Sequence, residues 1–240
     1  ILVSDKGVRG LVVANRAGNA WFGDGDRENI LHAESGASLS HLARQAIRRS
    51  LGGLEWAVGI PGTVGGAIVG NAGAYSESMA DVLWKVSVLD ERGQVQSVGV
   101  GELGLGYRTS RFKGPGIREG GQEVILSAEM ALIYKPRRWM ERMVEARMAQ
   151  RKATQPSMPS AGSVFKNPPG DFAGRLIEAA GLKGHRVGDA WISEKHANFI
   201  VNLGRAKADD VRQLIELVQD TVWNRFKVRL ELEIELVGEW

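Results

Sequence analysis

Gly59-Ile60-Pro61-Gly62-Thr63-Val64-Gly65-Gly66-Ala67-Ile68-Val69-Gly70-Asn71-Ala72-Gly73-Ala74-Tyr75 is the stretch on which the reading of this chain turns. Six of its seventeen residues are glycine, and none carries a charge. So few side chains add little to a core. Glycine instead reaches positive φ and lets another body approach the main chain closely. The N–H groups exposed in this way can form concave nests that suit phosphate oxygens. These residues alone leave two readings open: loops lying against a phosphorylated cofactor or substrate, and tight turns between strands. Residues 63–69 could open a short helix whose N-terminus would favour an anion.

Upstream of the tract, residues 8–13, 21–22 and 30–33 read as short strands separated by turn residues. Ser38 is placed to cap a helix whose apolar face is Leu39, Leu42, Ala43, Ala46 and Ile47, with Gly52-Gly53 ending it. Downstream, residues 82–100 alternate around Asp90-Glu91-Arg92-Gly93 and predict a hairpin. Tyr107-Arg108-Thr109-Ser110 follows, then a glycine-rich loop, then a strand over 124–134. Residues 137–152 predict a basic helix with Trp139, Met143 and Ala146 as its apolar stripe.

The proline- and serine-rich residues 155–162 mark a boundary. Asp171 is placed to cap a helix carrying Ala173, Leu176, Ile177 and Ala180, closed by Gly181. Phe199-Ile200-Val201 reads as a strand. Asp209 and Asp210 open the strongest helical pattern, with Val211, Leu214, Ile215, Val218, Val222 and Phe226 on one face. Residues 228–236 alternate as a last strand, with Arg229, Glu231, Glu233 and Glu235 on one side. The expected division is 1–150, 151–226 and a C-terminal strand 227–240.

Composition bounds the function only loosely. The 240 residues are 43% hydrophobic and 25% charged, with a formal net charge of +3, which suits an anionic small molecule as well as nucleic acid. Cysteine is absent, so disulfides and thiolate metal sites are excluded. No apolar run is long enough to cross a bilayer. The chain opens at Ile1-Leu2-Val3, inside an apparent strand, so further residues are expected ahead of it.

Several catalytic signatures are missing. No Gly-Lys-Ser/Thr follows the glycines, the dinucleotide spacing G-x-G-x-x-G is absent, and no Gly-x-Ser-x-Gly elbow occurs. The four histidines are scattered, which predicts no metal site. Three places remain. Arg108 could clamp a carboxylate or sit on the surface. Ser163, with Lys166 and Asn167 close behind it, could transfer a proton beside an anionic ligand or serve as a turn residue. Glu231, Glu233 and Glu235 share a strand face that could equally be plain solvated surface.

Taken in order, five segments resemble the bacterial UDP-N-acetylenolpyruvoylglucosamine reductases, also called UDP-N-acetylmuramate dehydrogenases. They are the tract with Asn71-Ala72-Gly73-Ala74-Tyr75, Tyr107-Arg108-Thr109-Ser110, Gly162-Ser163-Val164-Phe165-Lys166-Asn167-Pro168, Lys195-His196-Ala197-Asn198-Phe199, and Leu230-Glu231-Leu232-Glu233-Ile234. The short spacing from Arg108 to Ser163 resembles the type II members. The resemblance implies an α+β fold, with an FAD-binding domain of the vanillyl-alcohol-oxidase type and a smaller α+β substrate-binding domain. It implies a cytoplasmic, monomeric flavoenzyme of peptidoglycan synthesis. NADPH would reduce FAD, and the hydride would pass to UDP-N-acetylglucosamine enolpyruvate to give UDP-N-acetylmuramate. Nucleic acid and membrane would not be partners.

By the same resemblance Gly59, Ile60, Pro61, Gly62, Thr63, Val64, Gly65, Gly66, Asn71, Ala72, Gly73 and Ala74 would bind FAD. Arg108 and Glu233 would stabilise the charge that develops on the substrate, Glu233 as a hydrogen-bond donor. Ser163 would supply the proton. Tyr107, Lys166, Asn167 and His196 would lie near the substrate. The family carries a second glycine-rich loop ahead of the position of Ile1, which would share the FAD pyrophosphate with the tract. A chain without it would bind FAD poorly, so a flavin- or nucleotide-binding module without catalysis is the alternative. A nucleic-acid binder resting on the basic helix would leave the glycine tract unexplained.

Overall fold

The computed structural model describes residues 1–113 and 123–240. The glycine-rich loop expected after Lys113 falls largely outside the described residues. Two compact units divide the chain, one formed by residues 13–149 and the other by residues 1–12 together with 150–240.

In the unit of residues 13–149, alternation of apolar and polar residues produces a five-stranded antiparallel sheet. Its order is Ala20–Phe22, Ile30–Glu34, Val124–Ala131, Leu83–Leu89, Val95–Gly99. One face carries Leu31, Ala33, Ala128, Met130, Val86, Val88 and Val98 into the core. Against this core pack helices α1 (Leu39–Arg48) and α2 (Val64–Val69). Ser38 caps α1 by accepting from the His41 N–H at 3.4 Å. The fully buried Trp56 anchors the approach to the glycine tract, its indole N–H donating to the Gly53 carbonyl at 3.1 Å. Truncating a buried aromatic of this size costs about 3–5 kcal/mol.

Several expectations are corrected here. Residues 8–13 form no strand; Leu11, Val12 and Val13 are exposed and pair with no described strand. A β pattern without a ladder partner leaves its N–H and C=O groups to water, so apolar character alone does not make a strand. Helix α1 ends at Arg48, with Ser50 at φ +61, before Gly52-Gly53. In helix α3 (Arg137–Thr154) the residue driven into the core is Met140, with Val144 packed beside it. Trp139 is exposed, with the Lys135 ammonium 5.5 Å from its ring. The composition of this helix identified its type, and packing against the buried cluster set its inward face.

The other unit holds a four-stranded antiparallel sheet ordered Ser160–Ser163, Phe199–Asn202, Ala190–Ile192, Arg186–Val187. Helices α4 (Ala173–Ala179) and α5 (Ala208–Phe226) pack on it through Leu176, Ile177, Leu214, Val218 and Val222. Residues 1–12, expected with the first domain, cluster here because Leu2 and Val3 pair in parallel with Leu236 and Val237. The Asp5 carboxylate accepts from the N–H groups of Ala208 and Asp209, both at 3.0 Å, and so caps α5 across the chain. These two backbone bonds hold its carboxyl below the ordinary value. Asp171 does not cap α4 as expected. Asp171 pairs with Arg175, and the Ala173 N–H donates to Asn167 Oδ1 at 3.1 Å.

The C-terminal alternation survives in burial but not as one strand. Leu230 and Ile234 are buried, yet within residues 228–240 only Leu236–Val237 is a strand, and Leu232 makes a single bridge to Phe165. Among the described residues no helix is long and apolar enough to cross a membrane, and no His/Asp/Glu cluster could hold a metal ion.

Candidate active site

In the unit of residues 13–149 the glycines of the tract divide into two sets. Gly65 and Gly73 are demanded by packing, since a Cβ on them would stand 2.9 Å from Ser35 Cβ and 2.3 Å from the Glu77 carbonyl oxygen. Gly59 is demanded by conformation, at φ +84, where a Cβ would also press on the Met148 sulfur at 2.5 Å. Gly62 is demanded by conformation, at φ +134, and a Cβ there would meet nothing within 4 Å. Gly66 would meet only Thr63 Oγ1, at 3.6 Å. Bare main chain is therefore presented to open space around Gly62 and Gly66.

Thr63 caps α2, accepting from the Gly66 N–H at 3.3 Å. The expected role of this helix N-terminus is corrected by its bonding. The Val64 and Gly65 N–H groups donate to the carbonyls of Ala37 and Ser35 at 2.9 and 2.8 Å, so the first donors of α2 are spent within the protein. Among the described residues, nothing accepts from the N–H groups of Gly62 and Thr63. A side-chain-free strip with two open main-chain donors fits the pyrophosphate of a flavin nucleotide.

The same unit ties Arg108 to this tract. Gly106 and Thr109 bond each other across a tight turn, with Tyr107 and Arg108 at its tip. Arg108 lies at φ +56, a left-handed conformation costing a non-glycine residue roughly 1–2 kcal/mol. Three bonds hold it there. The Asn71 amide donates to the Gly106 carbonyl at 2.8 Å, the Ser110 hydroxyl to the Val69 carbonyl at 2.7 Å, and Arg108 Nη2 to the Gly73 carbonyl at 2.9 Å. Each acceptor or donor on the other side belongs to the tract. Asn71, itself at φ +38 and buried, also accepts from the Ala80 N–H at 3.0 Å, so both ends of its amide are committed. Tyr107 is exposed, with its ring 5.5 Å from the Arg108 guanidinium carbon.

The unit of residues 1–12 and 150–240 carries the remaining candidates. Ser163 ends the strand Ser160–Ser163, opposite Phe199, after a bulge that includes Gly162 at φ +82. Among the described residues none hydrogen-bonds the half-buried Ser163 hydroxyl. Val164 accepts from the Glu233 N–H at 2.8 Å, which sets Glu233 beside the serine's strand. The three alternating glutamates are now distinguished. Glu231 is 74% exposed and pairs with Lys166 Nζ at 3.2 Å, Glu235 is exposed, and Glu233 is half-buried. An exposed pair such as Lys166–Glu231 contributes at most about 1 kcal/mol, so Lys166 is held loosely. Asn167 spends its Oδ1 on α4.

His196 accepts from the Asn198 N–H through Nδ1 at 3.3 Å and sets its ring edge-on to Phe199, with centroids 4.9 Å apart. Burial, and then the Lys183 charge, push its pKa below the ordinary histidine value. Asn198, which the sequence reading did not single out as a site residue, orders the backbone here. Asn198 is buried. Its Oδ1 accepts from the Phe165 N–H at 2.9 Å, and its Nδ2 donates to the Phe165 carbonyl at 2.8 Å. Its signal in the sequence was an asparagine held immediately before an apolar strand, a place where a polar side chain must find backbone partners.

Comparison with known proteins gives two family matches along the chain. Residues 2–99 match the family described as FAD binding domain, and residues 154–237 match the C-terminal domain of UDP-N-acetylenolpyruvoylglucosamine reductase. The reductase of Caldicellulosiruptor bescii is 47% identical over 100% of this chain and 74% of its own length. Reductase 2 of Symbiobacterium thermophilum is 48% identical over 99% of this chain and 75% of its own length. The crystal structure of the Thermus caldophilus reductase superposes with a TM-score of 0.75 at 43% identity, covering 85% of this chain and 71% of that one. On the strength of these relatives and of the bonded tract and arginine turn, the chain belongs to the UDP-N-acetylenolpyruvoylglucosamine reductase family, FAD-binding oxidoreductases of α+β fold.

Proposed function

We propose that this chain reduces UDP-N-acetylglucosamine enolpyruvate to UDP-N-acetylmuramate, with FAD as cofactor and NADPH as co-substrate, as a cytoplasmic monomer serving peptidoglycan synthesis. The observation that carries this reading is the hydrogen bonding of the Arg108 turn onto the glycine tract at Gly106, Ser110 and Arg108 itself. It supports a cation held at the wall of a flavin site.

The chemistry FAD supplies when bound is hydride transfer, taken from NADPH and delivered to the methylene carbon of the enolpyruvyl group. Gly62 and Thr63 would hold its pyrophosphate through their open N–H groups, and Gly66 would admit it closely. Hydride addition at the methylene leaves negative charge on the neighbouring carbon, delocalised into the carboxylate. Arg108 would stabilise that charge, and its fixed turn means that little reorganisation is needed as the charge appears. Glu233, as a carboxylic acid in the complex, would donate a hydrogen bond to the same carboxylate. Ser163 would give its hydroxyl proton to the carbon, completing the addition of hydride and proton across the double bond. A hydroxyl is a weak acid, but the carbanion it faces is strongly basic, and Lys166 lies three residues along to offset the alkoxide. Tyr107, Asn167 and His196 would line the substrate. The lowered pKa of His196 favours a neutral imidazole, which can pair with an uncharged sugar group.

The test is anaerobic spectroscopy of the FAD-loaded chain. Ser163→Ala is expected to bleach with NADPH at close to the normal rate. Its reoxidation by the enolpyruvyl substrate should fall about 10²–10⁴-fold, the usual worth of a general acid. Normal reoxidation of that variant would remove Ser163 from the role.

A further inference from the structure

The hairpin that closes the glycine tract pairs Gly73 with Ser78 and Ala74 with Glu77. Its tip is formed by two consecutive left-handed residues that are not glycine, Tyr75 at φ +57 and Ser76 at φ +64. A two-residue turn of this kind is ordinarily Asn-Gly, because an L side chain in that conformation crowds the following carbonyl. Strain of this sort persists only where the surroundings over-determine it.

Much of that surrounding is one residue of α3. The Arg147 guanidinium carbon lies 4.6 Å from the centroid of the Tyr75 ring, and its Nη2 is 2.7 Å from Glu77 Oε2. Its backbone carbonyl accepts from the Tyr75 hydroxyl at 3.2 Å. The side chain is only 16% exposed. Arg147 Nη1 and Glu77 Oε2 are buried without a hydrogen-bond partner among the described residues, so the charges are close but poorly aligned. A buried donor left unsatisfied on a largely buried arginine carries a cost, which asks for a role. The hairpin it grips has no slack, since a Cβ on Gly73 would stand 2.3 Å from the Glu77 carbonyl oxygen. The Gly73 carbonyl is also the acceptor for Arg108 Nη2.

We propose that Arg147 is a positioning residue for Arg108. By clamping the turn of Tyr75 and Ser76 it fixes the Gly73 carbonyl, and that carbonyl aims the Arg108 guanidinium. The inference rests on the proposed role of Arg108 in stabilising charge on the substrate.

The experiment uses the FAD-loaded chain and its Arg147→Met and Arg147→Lys variants. Arg147→Met should leave bleaching by NADPH within about twofold and slow reoxidation by the enolpyruvyl substrate by about tenfold or more, the scale expected when a charge-stabilising group is misplaced. Arg147→Lys keeps the charge without the planar contact to Tyr75, so it should recover only part of the rate. Amide exchange across residues 73–78 should rise in Arg147→Met, and this reads the clamp without reference to catalysis. A turn that needs no clamp, Tyr75→Asn with Ser76→Gly, placed in the Arg147→Met background should restore both exchange protection and reoxidation. Equal loss in the two half-reactions, unchanged exchange, or failure of the Asn-Gly turn to rescue would overturn the proposal. Failure of the unmodified chain to be reoxidised by the substrate would instead overturn the proposed function, while the exchange result would still judge the clamp.

Discussion

Asn198→Ala is the substitution whose cost can be worked most directly from the structure. The backbone ladder passes over Phe165: the Lys166 N–H donates to the Glu231 carbonyl, and the Glu233 N–H to the Val164 carbonyl. The N–H and C=O of Phe165, a residue only 1% exposed, are both satisfied by the Asn198 side chain. Alanine would remove both partners at once. Each buried group left unpaired costs about 1–3 kcal/mol, so the pair gives about 2–6 kcal/mol. Urea unfolding of the chain should show that loss, with the Phe165 amide among the fastest-exchanging in its unit. A loss below about 1 kcal/mol, too small for even one orphaned group, would refute the view that, among the described residues, Asn198 satisfies Phe165. Asn198→Asp offers a control with a defined sign. Its carboxylate would face the Phe165 carbonyl, and burial would raise its folded pKa, so its protonated, donating form is favoured in the native state. That variant should therefore regain stability as pH falls through the raised pKa, the opposite of an ordinary capping carboxylate.

Glu233→Gln keeps a hydrogen-bond donor where Glu233→Ala keeps none, so reoxidation by the enolpyruvyl substrate should fall less in the first; equal losses would argue against a donor role for Glu233. The His196 pKa is lowered first by burial and then by Lys183, so the folded state disfavours its protonation. Stability from this group is full above the unfolded value near 6.5 and is lost as pH falls through that value toward the lowered one. A histidine titration followed by NMR should place His196 below an exposed histidine, and Lys183→Met should move it only part of the way back.

The candidate site was nominated from residue types, because the proposed chemistry would need particular atoms: glycines for bare main chain, an arginine for a carboxylate, a serine beside small neighbours. Even there, the structure changed what several of them do. The N-terminal donors of α2 turned out to be spent on Ser35 and Ala37, leaving Gly62 and Thr63 as the open ones. Of the three glutamates sharing a face, exposure set Glu231 and Glu235 apart from Glu233. Asn167, expected near the substrate, also supports α4, and Asp171 proved to be an ion-pair partner of Arg175 rather than its cap.

By itself the sequence determined local matters. It specified most helix and strand types through period, the Ser38 cap through its side-chain oxygen, and the hairpin at Asp90 to Gly93. These depend on interactions within a few positions of each other, which a pattern can carry. The tertiary structure decided whatever needs a distant partner. Residues 8–13 have strand composition but no ladder, whereas Leu2 and Val3 find Leu236 and Val237 at the other end of the chain. Asp5 caps a helix that starts at Ala208. Arg147 holds a turn at Tyr75 that would otherwise call for Asn-Gly. Long-range pairing is chosen by which surfaces meet once the core has formed, and a linear pattern does not encode that choice.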